Sequence, residues 1–118
     1  MINKKNKNIQ TMIGLDMVIN GSVKLENGII VYGQIEGSIN TKGPVRLAKN
    51  AIVKGDVFGS DIRIAGIVKG DICSVGQVTL LKTCSVKGDI TYKKLVVEDG
   101  ARFEGKCEVV IEESDPLS

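Results

Sequence analysis

The string Val-Lys-Gly-Asp-Val/Ile occurs three times, at Val53–Val57, Val68–Ile72 and Val86–Ile90. Weaker copies extend it to Ile19-Asn20-Gly21-Ser22-Val23, Ile35-Glu36-Gly37-Ser38-Ile39 and Phe103-Glu104-Gly105-Lys106-Cys107. The anchoring glycines at 21, 37, 55, 70, 88 and 105 are separated by 16, 18, 15, 18 and 17 residues. A self-similar period this short excludes a sandwich, whose hairpins pair strands adjacent in sequence. It requires an array in which each unit stacks on the one before.

Each period holds three short apolar elements. A second pair follows the middle anchors by seven or eight residues: Val45/Leu47, Ile62/Ile64, Val78/Leu80 and Leu95/Val97. One residue separates the members, so in a strand both side chains point the same way. A third element precedes the Gly string, at Ala51/Val53, Gly66/Val68, Cys84/Val86 and Ala101/Phe103. Successive periods differ at one corner: Ile62–Val68 runs straight through, whereas Val45–Val53 carries inserted residues. Composition agrees with strands. The chain has 14 Val and 15 Ile against 7 Leu and 4 Ala, and branched side chains suit pleated surfaces better than helices.

These features predict an all-β fold, a parallel β-helix of about six rungs with three short strands per rung. A six-residue apolar register starting at Val68 meets Ser74, Tyr92 and Glu98, so the hexad of left-handed β-helices is absent and right-handed winding is expected. Lys54, Lys69 and Lys87 should form one outward column and Asp56, Asp71 and Asp89 another. The Asp column is the one candidate for an acidic catalytic or Ca²⁺ face. The Lys two residues before each Asp suggests solvated charge pairs instead.

The chain contains no His. That removes His bases, Ser-His-Asp and Cys-His nucleophile systems and His metal ligands, including the base on which left-handed β-helical acyltransferases generally rely. The three Cys, at 73, 84 and 107, have no metal-ligand spacing and read as reduced packing thiols. No phosphate-cradling GxxxxGK[ST] string occurs. A net charge of +2 is too small to argue for nucleic acid. The expectation is therefore no catalytic site, no metal, no cofactor and no nucleotide. No apolar run reaches the roughly 18 residues of a membrane span, and no secretory signal is legible.

The organisation expected is a basic, disordered tail over 1–13, a β-helix over 14–111, and a disordered acidic tail over 112–118. Neither end of the helix carries an amphipathic cap. Uncapped ends expose apolar columns and predict end-to-end stacking into filaments. The candidate interface is Leu15, Met17 and Val18 at one end and Phe103, Cys107, Val109 and Ile111 at the other. At the N-terminus, Met1 and Ile2 precede Lys4, Lys5 and Lys7. An apolar tip with lysines can hold a peripheral protein on an anionic bilayer, or simply solubilise the chain.

Over residues 14–111 the sequence resembles the bactofilins. The resemblance rests on Ile35–Ile39, the three Val-Lys-Gly-Asp strings, and above all on Leu95–Cys107, with its Glu, Gly-Ala, aromatic, Glu-Gly and Cys pattern. The N-terminus is similar to that family's membrane-targeting motif, with Ile2 where an aromatic is common. The resemblance implies a right-handed β-helix that forms nucleotide-independent filaments beneath the cytoplasmic membrane. It also implies a role organising cell-wall enzymes and cell shape. The alternative reading is a non-polymeric β-helix that binds a partner protein on one face.

Overall fold

Parallel stacking of short strands needs a backbone corner that leaves no room for a side chain, and the anchor glycines form it. Gly88 has φ +149°, and a Cβ built there would lie 2.1 Å from the Gly70 carbonyl oxygen of the preceding rung. No residue with a Cβ can approach its neighbour that closely in that conformation. The computed structural model describes residues 9–110, which form eighteen strands in three parallel six-stranded sheets.

The first sheet contains β1 (Ile9–Ile13), β4 (Gly28–Val31), β7 (Val45–Leu47), β10 (Ile62–Ile64), β13 (Gln77–Leu80) and β16 (Lys94–Val97). The second contains β2 (Val18–Asn20), β5 (Gln34–Glu36), β8 (Ile52–Lys54), β11 (Ile67–Lys69), β14 (Ser85–Lys87) and β17 (Arg102–Glu104). The third contains β3 (Val23–Leu25), β6 (Ile39–Thr41), β9 (Val57–Gly59), β12 (Ile72–Ser74), β15 (Ile90–Tyr92) and β18 (Cys107–Val109). Every strand from β4 to β15 pairs with the strands three before and three after it, and the strands of the first and last rungs pair on one side only. The fold is thus a parallel β-solenoid of six rungs, each with three strands.

The repeat register matches the expected columns. Val45, Ile62, Val78 and Leu95 are successive partners in the first sheet. Val53, Val68, Val86 and Phe103 are successive partners in the second. Their interior members are sealed: Ile62 and Val68 have no exposed surface, nor has Ile64 in the adjoining column of Leu47 and Leu80. Burying each is worth about 1.5–3 kcal/mol, and no single rung could do so alone. The looped corners each close with a short turn, as where the Ala51 and Cys84 amides donate to the Ala48 and Leu81 carbonyls (both 2.9 Å). The tight corners at Tyr32-Gly33 and Ala65-Gly66 alternate with them, until the final corner, which is again looped.

Two expectations are corrected. Residues 9–13 are not tail: β1 stacks on β4 with Ile13 against Val31, and Ile13 is buried. The first rung therefore begins five residues earlier than its glycine pattern suggested. The Asp column is also not made of Lys–Asp pairs. Asp56 Oδ1 accepts the Asp71 N–H (2.9 Å), Asp71 Oδ1 accepts the Asp89 N–H (3.0 Å), and Asp89 Oδ1 accepts the Lys106 N–H (3.1 Å). Each carboxylate ties its rung to the next through a charge-assisted bond.

Candidate polymerisation interface

Every inward column ends twice, and the two terminal rungs are where the molecule's packing is incomplete. At the C-terminal end, β16, β17 and β18 have a rung beneath them and, among the described residues, none above. Val86 is sealed, but Phe103 in the same column is half-buried. Ile90 is sealed, but its partner Cys107 is exposed. Val97 and Val109, stacked on Leu80 and Tyr92, are 54% and 50% exposed. Leu95 and Ala101 complete this apolar face and are half-buried.

At the N-terminal end the inward columns finish at Ile19, Val23 and Leu25, all half-buried, beside the buried Ile13. Met17 and Leu15 lie in the corner between β1 and β2, 47% and 67% exposed. Val18 pairs with Gln34 and alternates outward, away from the core column of Ile19 and Ile35. The structure thus gathers Phe103, Cys107 and Val109 on one terminal face and places Leu15 and Met17 at the margin of the other. Val18 falls on the lateral surface. Ile111, Met1, Ile2, Lys4, Lys5 and Lys7 lie outside the described residues. Leu95, Val97, Ile19, Val23 and Leu25 were absent from the expected interface. The repeat itself marks Ile19 and Val23, which stand 16 residues before Ile35 and Ile39.

Polar chemistry at these ends is sparse. The aspartate ladder stops at Lys106, whose side chain can only donate. Partial desolvation against the rung beneath pushes the exposed Cys107 thiol above its ordinary value, and burial does the same at Cys84 against opposing hydrogen bonds from the Arg102 and Cys84 backbone. Both thiols stay protonated at neutral pH, as expected of packing residues. Among the described residues no group of three His, Cys, Asp or Glu converges on a possible metal position, and no helix is long and apolar enough to cross a membrane.

Residues 11–108 match the family model "Bactofilin: Polymer-forming cytoskeletal". The chain belongs to the bactofilin family. It is 30% identical over 103 residues to bactofilin BacO of Myxococcus xanthus, covering 87% of this chain and 82% of that protein. Its fold is similar to that of the Thermus thermophilus bactofilin in a cryo-EM reconstruction of double helical filaments. That likeness has a TM-score of 0.79 at 24% identity, over 86% of this chain and all of the other. The family is polymer-forming and cytoskeletal, and the terminal rungs are where this chain's apolar columns stand open.

Proposed function

We propose that this bactofilin is a non-enzymatic scaffold whose rods stack end to end through their terminal rungs, without nucleotide. The observation that supports the reading is the contrast between identical column positions: sealed at Val86 and Ile90, open at Phe103 and Cys107. A second rod seated on the end would seal them. The interface comprises Leu15 and Met17 at the margin of one end, with Ile19, Val23 and Leu25, and Phe103, Cys107, Val109 and Ile111 at the other. The filament lies at the inner face of the cytoplasmic membrane and organises cell-shape or cell-wall proteins. Met1, Ile2, Lys4, Lys5 and Lys7 provide the attachment. Each tail binds weakly, but a filament multiplies it by avidity.

Phe103→Arg tests the stacking. The charge can reach solvent in a lone rod but is trapped in a stacked one, so contact should weaken by several kcal/mol. The expected result is a β-rich circular dichroism spectrum, a small species in gel filtration and no filaments by electron microscopy without nucleotide. Normal filaments would refute end-stacking through the C-terminal rung. A native chain that stays monomeric would favour the non-polymeric partner-binding module. Deleting residues 1–8 should abolish sedimentation with anionic liposomes and leave filaments intact.

A further inference from the structure

One corner of the solenoid carries less bulk than its counterpart. The tight corners at Tyr32 and Ala65 are equivalent. They stand 33 residues apart, and each donates its N–H to the carbonyl that ends the strand one rung before, that of Ile13 and that of Leu47 (both 2.8 Å). Tyr32 gives its corner a half-buried phenol, whereas Ala65 gives only a methyl group. The looped corners at 48–51 and 81–84 belong to the rungs on either side of Ala65. They stand about 10 Å apart, two rungs at about 4.8 Å each. Between them lies an apolar recess of about 270 Å³, lined by Tyr32, Leu47, Ala48, Ala65 and Leu81 and by the charged Arg46 and Arg63.

The two arginines are register partners on the outer face of the first sheet, about 4.8 Å apart along the rod, and both are exposed. Like charges directly opposite one another cost stability in a sheet. Among the described residues neither guanidinium has an ion pair or a hydrogen bond. The carboxylate on their other flank, Asp61, accepts the Gln77 N–H (3.0 Å) through Oδ1. Two uncompensated cations therefore stand beside an apolar recess, and their charge calls for an anion. A second copy laid on this face about a two-fold axis through its centre would set the arginine pair against another such pair, because the pair lies midway along the column from Met12 to Val96. A bilayer is entered by protruding apolar side chains, and this apolar surface is recessed.

We propose that Arg46, Arg63 and the recess at Ala65 form a docking site for an extended segment of another protein that carries a carboxylate and, two residues away, an aromatic side chain. Arg63 and Ala65 are themselves two residues apart, and in an extended segment side chains at that spacing share a face about 6.6 Å apart. The carboxylate bridges the two guanidinium forks and relieves their repulsion. The ring supplies the bulk that Tyr32 supplies at the equivalent corner, and it lies beside the arginines, where a cation over an aromatic face adds attraction. As the attachment point of a scaffold, this site rests on the function proposed for the chain, but it needs no stacking of rods.

The probe is an N-terminally dye-labelled, amidated peptide, Ser-Gly-Glu-Ser-Phe-Gly-Ser, titrated with full-length chain by fluorescence anisotropy. Saturable binding with a Kd below about 1 mM is expected, with about tenfold loss when the peptide's Glu becomes Gln or its Phe becomes Ser. On the protein, Arg46→Gln/Arg63→Gln and Ala65→Tyr should each weaken binding about tenfold while the circular dichroism spectrum stays that of the native chain. Ala65→Tyr copies Tyr32 and fills the recess without touching a charge. Phe103→Arg should bind as the native chain does, because the site is lateral; binding lost in that variant ties the peptide to the rod ends and overturns the assignment. No binding by about 1 mM, or equal binding by either altered peptide, by Ala65→Tyr or by the arginine variant, also overturns it. Sedimentation with phosphatidylglycerol vesicles that Arg46→Gln/Arg63→Gln loses, with no peptide binding, gives the face to a bilayer instead. A smaller species in gel filtration for Phe103→Arg/Arg46→Gln/Arg63→Gln than for Phe103→Arg, again with no peptide binding, gives it to a second copy.

Discussion

Gly88→Ala and Gly21→Ala place the same methyl group on the same kind of corner, with and without a rung beneath it. Gly88 has φ +149° and Gly21 φ +130°. Forcing Ala into this region costs about 1–3 kcal/mol at either position. The surroundings differ. At Gly21 a Cβ meets nothing within 4 Å, whereas at Gly88 it lies 2.1 Å from the Gly70 oxygen and 2.6 Å from the Gly70 carbonyl carbon. A contact of about 3 Å requires the rungs to part locally by about 0.9 Å, and three bonds span that gap. These are Gly70 N–H to the Lys87 carbonyl (3.0 Å), Ile72 N–H to the Asp89 carbonyl (2.9 Å) and Asp89 N–H to Asp71 Oδ1 (3.0 Å). Stretched by that amount they exceed hydrogen-bonding distance. At about 1 kcal/mol each the loss is roughly 3 kcal/mol.

Gly88→Ala should therefore lose about 4–6 kcal/mol in all, a large share of a stability of 5–15 kcal/mol typical of small domains, and Gly21→Ala about 1–3 kcal/mol. Urea unfolding followed by circular dichroism, on dilute samples cleared of filaments, measures both. Equal losses within about 0.5 kcal/mol would show that backbone conformation alone selects glycine here, and the close approach between rungs would no longer explain the anchor column.

Ile64→Asp should cost several kcal/mol in a thermal melt, because it buries an unpaired charge in a sealed column, whereas the exposed Lys69→Gln should be nearly silent. Asp71→Ala removes the acceptor for the Asp89 amide and should cost about 1 kcal/mol; a loss no larger than that of Lys69→Gln would discount the aspartate ladder. Cys84 has its thiol raised above the ordinary value of 9.0, so above that pH the unfolded chain releases a proton that the folded chain keeps. Stability then falls as pH rises. Cys84→Ala, which copies Ala51 and Ala101 in equivalent slots, should flatten unfolding free energy measured between about pH 8.5 and 10.

The three-strand rung, its register and its inward columns were legible because each rung solves one packing problem with the same residue types. Val53, Val68 and Val86 align from the sequence alone, and so do Gly55, Gly70 and Gly88. Legibility failed where a residue's role depends on what lies above or below it. β1 lacks a preceding glycine anchor, and its Ile9-Gln10-Thr11-Met12-Ile13 run reads as a polar tail until β4 covers Ile13. The aspartates look paired with the lysines two residues away because sequence shows neighbours along the chain, whereas their partners are amides one rung on. Thr41 and Ser74 are fully buried, which their hydroxyls permit only because each bonds a carbonyl across the rung boundary, that of Asn27 and that of Ser60.

The ends follow the same logic. Val86 and Phe103 occupy one column slot, and Ile90 and Cys107 another. Their side chains do not decide which is core and which is surface; the number of rungs stacked on them does. In a solenoid the interior and the interface are built to one pattern. A terminal rung with its columns open is an interior site awaiting a neighbour, and another copy of the chain presents the same apolar column chemistry. The property that lets six weak rungs make one stable rod is thus the property that would let rods make a filament. A chain of this kind avoids polymerising only by adding something that breaks the pattern. Over the described residues the pattern runs unbroken through Phe103, Cys107 and Val109. A second rod brings Ile13, Ile19, Val23 and Leu25 or a second set of Phe103, Cys107 and Val109, all able to close the open columns without burying a charge.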